Sequence, residues 1–230
     1  MKFYQDIANI YHRLFPLNLK KIDFLEKAAP GKQILDVACG DGRDMLALTQ
    51  RGFDVIGIDM EQDMVTSARE NGANAHVGNM LKIIDQRKYD LIYCVGNSIC
   101  HLENIGEVKK AFKQAYFHLK DGGKYVLQFI NYHPFLKNED DFLGELPLIT
   151  DDELIFKRQY FRSHGKIRFH TEIQGDFDPI INDILLIPLM EDDARKLLQD
   201  VGFKNIKSYC GFSDEKFKDD AYAVVLLGEK

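Results

Sequence analysis

Two acids and two glycines are the residues of this sequence whose types and spacing suggest chemistry most directly. Asp36 lies in an apolar run, Gly40 and Gly42 follow within six residues, and Asp59 ends a second apolar run. Glycine allows positive φ and lets the backbone approach a bound molecule closely. An ionised carboxylate accepts hydrogen bonds from ribose hydroxyls. The pattern predicts strand, turn and helix, with a nucleotide-like cofactor over the turn.

Two common nucleotide-binding motifs do not match this turn. The dinucleotide fingerprint has a third glycine three residues after the second, where this sequence has Met45. The Gly-Lys-Ser/Thr sequence of a phosphate-binding loop is also missing. A dinucleotide or nucleoside triphosphate is therefore disfavoured as the ligand.

The segment Asp36-Val37-Ala38-Cys39-Gly40-Asp41-Gly42 resembles motif I of the class I S-adenosylmethionine-dependent methyltransferases. Four more segments match that family in order: Val55-Ile56-Gly57-Ile58-Asp59, Gly78-Asn79-Met80, Tyr89–Cys94 and residues 119–127. Together the matches cover residues 34–130. The resemblance implies a methyltransferase whose cofactor is S-adenosylmethionine (SAM).

The resemblance also implies which residues contact SAM. It assigns Asp36 to the ammonium of the cofactor and Asp59 to the ribose hydroxyls, with capping of the local backbone as the alternative role of each acid. Asn79, where the family more often has Asp, is assigned to the adenine amino group. Tyr4 or Tyr11 is a candidate to close over the methionine end. The predicted cofactor-binding set is Asp36, Ala38, Gly40, Gly42, Asp59, Met60, Asn79, Met80, Val95 and Tyr11.

Residues 95–102 follow the fourth predicted strand, where the family places the transferred methyl group. They lack the Asn/Asp-Pro-Pro-Tyr/Phe pattern of enzymes that methylate exocyclic base amines. His101 is a candidate general base or substrate-binding group. Tyr132 and His133 are candidates to border the acceptor pocket. The catalytic residue itself stays unassigned, because holding donor and acceptor in line already supplies much of the rate.

Composition describes a soluble globular chain of 230 residues, 45% hydrophobic and 29% charged. The net charge of −6 argues against nucleic acid or an anionic membrane as a partner. The four cysteines show no metal-ligand spacing, so no metal is predicted, and Cys94 and Cys100 are expected to be buried apolar cysteines. With neither a signal pattern nor a long apolar run, we expect a reduced, cytoplasmic protein.

Alternating strand and helix patterns predict an α/β fold with a doubly wound, Rossmann-like, seven-stranded, mostly parallel sheet. Strands are predicted at 33–37, 54–58, 74–77, 89–95 and 124–130, and helices at 43–51, 61–71 and 104–119. A helix at 191–201 then precedes strands at 203–209 and 222–227, and the resemblance implies that the last strand is antiparallel. Residues 3–29 predict a helical cap that Pro16 divides in two.

Three extended runs interrupt this alternation, at 154–161, 166–174 and 181–189. They predict a small antiparallel β insertion after strand five. We therefore divide the chain into a core of residues 1–135 and 190–230 and an inserted subdomain of residues 136–189, over the acceptor site.

Three functions stay open at this level. The first is a SAM-dependent methyltransferase for a small-molecule acceptor, an amine or a small acid, because residues 97–102 and the insertion resemble glycine/sarcosine N-methyltransferase-like bacterial enzymes. The second is a catalytically silent SAM-binding module that acts through a partner. The third is an NAD-linked oxidoreductase. The acceptor and the oligomeric state are left open.

Overall fold

The computed structural model describes residues 7, 10–137, 139–150 and 153–230. The α-helices are α1 (Tyr11–Leu14), α2 (Leu19–Ala28), α3 (Arg43–Gln50), α4 (Gln62–Glu70), α5 (Ile105–His118), α6 (His133–Leu136) and α7 (Glu191–Val201), and a 3₁₀ turn spans Ser98–His101. The strands are β1 (Gln33–Val37), β2 (Asp54–Asp59), β3 (Ala75–Val77), β4 (Tyr89–Cys94), β5 (Leu119–Ile130), β6 (Phe142–Glu145), β7 (Ile149–Thr150), β8 (Ile155–Ser163), β9 (Lys166–Gly175), β10 (Phe177–Leu186), β11 (Lys204–Cys210) and β12 (Ala223–Glu229).

Seven strands form the first sheet, in the order β11-β12-β5-β4-β1-β2-β3. The pairs among β1 to β5 are parallel, whereas β12 is antiparallel to both β5 and β11. The predicted fold class, a seven-stranded mostly parallel sheet with an antiparallel last strand, is confirmed. In such a sheet ligands bind beyond the carboxyl ends of the parallel strands.

Close packing surrounds the first turn. Asp36 of β1 lies opposite Gly57 of β2 and Tyr93 of β4. A Cβ atom on Gly57 would approach the Met45 sulfur to 2.4 Å and the Cys39 Cβ to 2.8 Å. Only glycine therefore lets α3 and the turn before it pack directly on the sheet.

A second, antiparallel sheet has the order β10-β9-β8-β6, and β7 also pairs with β8. On its inner face Tyr160, Ile167 and Leu186 are buried and belong to the same apolar core as Tyr132 and Leu189. The second sheet is thus packed onto the first through a continuous core.

The predicted three-stranded insertion was incomplete. The structure adds the short strands β6 and β7, and it begins β10 at Phe177 and ends it at Leu186 instead of spanning 181–189. Pro179 is accommodated because β10 is an edge strand with a register shift between Phe177 and Ile180. Beyond Leu186 the chain leaves the sheet, and the Ile187 amide donates to the Cys100 carbonyl.

The predicted elements of the first sheet agree with the structure within one or two residues at each end, except that β5 begins at Leu119 rather than 124. Leu119 pairs with Tyr89, and a register shift accommodates the glycines that follow. At the amino end, the break at Pro16 separates α1 from α2, whose N-cap Asn18 accepts from the Lys21 amide. No helix in the described ranges has the length and apolar character that crossing a membrane requires.

Candidate active site

A cavity of about 880 Å³ lies over the carboxyl ends of β1, β2 and β4. Its floor includes residues that follow these strands. Its walls include the segment from Tyr11 to Asn18 and the loop between β11 and β12, and Leu146, Arg158, Tyr160 and Phe169 of the second sheet line it from above. Of the predicted site residues, the structure brings these to the cavity wall: Tyr11, Asp36, Ala38, Gly40, Asp59, Met60, Asn79, Met80, Val95 and His101.

The turn after β1 is held by backbone bonds to β2. The amides of Ala38 and Cys39 both donate to the Ile58 carbonyl, and Ala38 and Gly40 have φ of 66° and 55°. Positive φ is costly for alanine, so these bonds hold a strained turn against the cavity. The Tyr11 ring covers it, since a Cβ on Gly40 would lie 3.5 Å from a ring carbon of Tyr11.

Asp59 connects this turn to the next helix. One carboxylate oxygen accepts from the Gly40 amide and the other from the Glu61 amide, each at 2.9 Å. Burial raises the pKa of this carboxyl, although both amides favour the ionised form. Each oxygen retains a lone pair, so the capping role and a ligand contact are compatible.

Asp36 is 2% exposed and reaches the cavity wall at the end of β1. Its Oδ2 accepts from the Tyr93 hydroxyl at 2.7 Å. Its Oδ1 is buried and has no hydrogen-bond partner. A buried acceptor of this kind is suited to a donor from a ligand.

The part of the cavity that Met60 and Asn79 line is more open than the part at Asp36. Met60 is 59% exposed and Asn79 is also exposed. The Asn79 Oδ1 already accepts from the Leu81 amide at 2.8 Å. The oxygen that the sequence assigned to the adenine amino group therefore has a local partner, while the amide nitrogen is still available.

Three predicted residues do not line the cavity. Gly42 lies at the start of α3, where an added Cβ would come within 2.7 Å of the Ala73 Cβ and 3.0 Å of the Ala68 Cβ, so its absent side chain serves packing. Tyr132 is fully buried and bonded to Asn97, and His133 lies 3.9 Å from the Asp219 carboxylate. Tyr4 lies outside the described residues.

Residues 95–98 form a rigid loop at the middle of the cavity. Gly96 and Asn97 have consecutive positive φ angles of 75° and 68°. The Gly96 amide donates to Gln128 Oε1 at 2.7 Å, and Asn97 Oδ1 accepts from the Ile130 amide at 3.0 Å. β5 thus supports the loop by side-chain and backbone bonds, which explains its unusual conformation.

His101 follows this loop and lines the cavity. Burial lowers the pKa of its imidazole to about 4, so the ring is neutral at pH 7. Two cysteines near His101 in the chain are buried, as predicted: Cys94 and Cys100. Burial raises the pKa of the Cys100 thiol to about 12. A thiol with so high a pKa is a poor nucleophile at neutral pH.

Arg158 on β8 is a cavity residue that the sequence did not predict. It is 9% exposed, lies beside Phe156 and donates from Nη2 to the Pro147 carbonyl at 2.6 Å. Its buried Nε has no hydrogen-bond partner, and no described carboxylate forms an ion pair with it. The signal was present, because Arg158 occupies the apolar face of the alternating run at 154–161.

Among the described residues, no group of three His, Cys, Asp or Glu side chains is placed to hold a metal ion.

Comparison with known proteins covers both the sequence and the fold. Residues 34–123 match the sequence model of a family described as a methyltransferase domain. A glycine/sarcosine N-methyltransferase of Halorhodospira halochloris is 30% identical over 190 residues, which cover 78% of this chain and 68% of that protein. Another of Aphanothece halophytica is 27% identical over 209 residues, covering 86% of this chain and 76% of the relative.

A solved structure extends the likeness to nearly the whole fold. The crystal structure of an S-adenosylmethionine-dependent methyltransferase from Clostridium acetobutylicum has a TM-score of 0.80 at 22% identity, covering 98% of each chain. The shared fold includes the second sheet as well as the first.

Proposed function

Because this chain belongs to the class I S-adenosylmethionine-dependent methyltransferases, we propose that it transfers the methyl group of SAM to the nitrogen of a small acceptor that also carries a carboxylate. The observation that supports this acceptor is the buried guanidinium of Arg158 on the cavity wall. A buried cation without a counter-ion is costly, and a ligand carboxylate removes that cost.

The other partly buried cations of the cavity wall already have partners. Lys21 pairs with Asp44 at 2.5 Å, and Arg43 pairs with Asp41 at 2.7 Å. Arg158 has no such partner in the described chain. An anionic group on the acceptor therefore has an evident place to bind, in the cavity that His101 also lines.

The residues at the end of the cavity nearest β1 and β2 fit SAM. The unpartnered Oδ1 of Asp36 supports its assignment to the ammonium, and the remaining lone pairs of Asp59 support its assignment to the ribose. Gly40 presents bare backbone there, with φ of 55°. We retain both acids, with Ala38, Gly40, Met60, Asn79, Met80, Val95 and Tyr11, as the proposed cofactor-binding set.

The chain's own contribution to the reaction is mainly positioning. SAM, when bound, supplies a methyl group on a positively charged sulfur. Arg158 anchors the acceptor by its carboxylate, and the rigid loop at Gly96 and Asn97 shapes the space in which the acceptor nitrogen lies. The neutral imidazole of His101 is able to accept a hydrogen bond from that nitrogen. Holding the reactants in line can account for about 7–11 kcal/mol of the barrier.

The inserted subdomain, residues 136–189, is in this proposal the acceptor-binding unit. Arg158, Tyr160 and Phe169 on its inner face all line the cavity.

A cytoplasmic location, and the expectation that neither nucleic acid nor a membrane is a partner, stay predictions from the sequence.

Two alternatives to this function have less support. An NAD-linked oxidoreductase needs a glycine where Met45 is, and that side chain is fully buried in the core. A catalytically silent module would not require an acceptor pocket lined by an arginine that has no carboxylate partner among the described residues.

The test is methyl transfer from labelled SAM to matched acceptors. Glycine and sarcosine are compared with glycinamide, which keeps the amine and loses the carboxylate charge. We expect transfer to a carboxylated amine, with kcat/KM at least about tenfold above that of the amide. Methylation of the amide alone would overturn the acceptor assignment. SAM binding without transfer to any amine would favour the silent module.

A further inference from the structure

The carboxyl of Asp36 and the hydroxyl of Tyr93 form a polar pair inside the first sheet. The two residues lie opposite each other in the parallel pairing of β1 and β4, and both are buried, with exposures of 2% and 0%. The Tyr93 hydroxyl donates to Asp36 Oδ2 at 2.7 Å. Phenylalanine would fill nearly the same space, so packing alone does not require the hydroxyl.

This bond divides the two oxygens of Asp36 between different tasks. Oδ2 is occupied by Tyr93, whereas Oδ1 is buried at the cavity wall without a partner. A carboxylate held at one oxygen has little freedom to rotate about its last bond. Tyr93 therefore determines which oxygen faces the cavity.

The charges around Asp36 come from every element packed on it. Asp44 of α3 and Asp59 of β2 disfavour its ionisation, while Lys21 of α2 and the Tyr93 hydroxyl of β4 favour it. Lys21 is itself paired with Asp44, which reduces the stabilisation that Lys21 gives to the ionised form of Asp36. With burial as the largest cause, the pKa of Asp36 lies well above its usual range.

We infer that Tyr93 is a positioning residue for SAM, which holds Asp36 so that Oδ1 accepts from the ammonium of the cofactor, and that SAM binding favours the ionised form of this carboxyl. The step balances: an Asp36 carboxyl that is protonated loses its proton to solvent, and the carboxylate accepts a hydrogen bond from the ammonium, which stays protonated. This inference concerns the cofactor alone. It rests on the assignment of Asp36 to SAM proposed above and is independent of the acceptor.

The experiment is calorimetric titration of the full chain with SAM between pH 5.5 and 7.5, in pairs of buffers with different heats of ionisation. The buffer difference counts the protons released on binding. We expect protons to be released on binding, more of them at lower pH, and an affinity for SAM that rises with pH. Asp36→Asn should release none at this site and lose the pH dependence.

Tyr93→Phe tests the positioning role. Without the hydroxyl, the carboxylate form of Asp36 is less favoured, so SAM should bind about tenfold more weakly at pH 7, with its pH profile moved to higher pH. In the Asp36→Asn background the same change should have little further effect. Tyr125→Phe, at another buried tyrosine on β5 that does not line the cavity, is the matched control and should leave the profile unchanged.

Thermal unfolding of each variant separates loss of fold from loss of binding. A purely structural Tyr93 would lower the melting temperature in Tyr93→Phe and leave the pH profile as in the wild type, which would overturn the inference. If Tyr93→Phe does not fold, the wild type is compared with Asp36→Asn. Equal numbers of protons released on SAM binding by these two proteins would also overturn the inference.

Discussion

Arg43 donates from Nη1 to the His12 carbonyl at 3.1 Å and from Nε to Asp41 Oδ2 at 2.7 Å. Its guanidinium also lies 5.8 Å from the centre of the Tyr11 ring. Asp41 belongs to the turn between the two glycines, whereas His12 and Tyr11 belong to α1. A single side chain thus ties the N-terminal helix to the turn over which the cofactor is proposed to bind.

Replacing Arg43 should loosen this connection. In Arg43→Met we expect the Kd for SAM to rise about three- to tenfold, because the contacts are charge-assisted but partly exposed. Calorimetric titration measures it. Arg51→Met, at the end of the same helix, is the control, since Arg51 pairs with Asp23 and Glu26 away from the cavity. Equal effects of the two changes would contradict a specific role for Arg43.

Replacing Asp59 should weaken SAM binding more than replacing Arg43, because Asp59 accepts from two backbone amides and also makes the proposed ribose contact. Asp59→Ala is expected to weaken SAM binding by roughly 1–3 kcal/mol, the usual range for leaving buried polar partners unpaired. Asp63→Ala removes an exposed acid from the first turn of α4 and should leave the affinity unchanged. A folded Asp59→Ala protein with wild-type affinity would show that the ribose assignment is wrong.

Arg158 should discriminate between acceptors without affecting the cofactor. In Arg158→Met the KM for a carboxylated amine is expected to rise about 10- to 100-fold, the range for a lost hydrogen bond to a charged group. Activity on the uncharged amide and the Kd for SAM should change little. Arg168→Met is the control, because Arg168 pairs with Asp183 and does not line the cavity. The proposal would fail if Arg158→Met lowered activity on both acceptors equally.

His101 should make the fold sensitive to acid. Its pKa is about 4 in the folded chain against an ordinary value of 6.5, so below pH 6.5 the unfolded chain binds a proton that the folded chain does not. Its contribution to the free energy of unfolding is complete above pH 6.5 and falls as the pH drops towards 4. At pH 5 this loss is about 2 kcal/mol.

Urea unfolding at pH 7.5 and pH 5 checks this expectation. Between these two pH values the free energy of unfolding of His101→Gln should fall by about 2 kcal/mol less than that of the wild type, because glutamine does not titrate. The exposed His76, changed to Gln, serves as the control and should follow the wild type. Equal decreases in the free energy of unfolding between pH 7.5 and pH 5 in the wild type and in His101→Gln would show that burial does not hold this imidazole neutral.

Most of the fold could be predicted because its signals are local. Strand β1, the turn at Gly40 and helix α3 each follow from residues adjacent in the chain, and the order of the motifs then implied the sheet. The short strands β6 and β7 had no such signal, since two to four residues do not establish a periodicity. Pro179 lies between the runs predicted at 166–174 and 181–189. The structure includes it in β10, which is possible because β10 is an edge strand, a property of the assembled sheet.

The sequence by itself determined the fold class, the turn and the two acids that border it, because these depend on backbone conformation and on hydrogen-bonding groups close in the chain. Tertiary structure decided which candidates reach the cavity. It placed Gly42 against Ala68 and Ala73, buried Tyr132 against Asn97, and brought Arg158 from a distant strand to the cavity that Asp36 also lines. The physical reason is that a local pattern predicts which face of an element is buried, whereas the residues that contact that face and pair its charges lie far away in the chain.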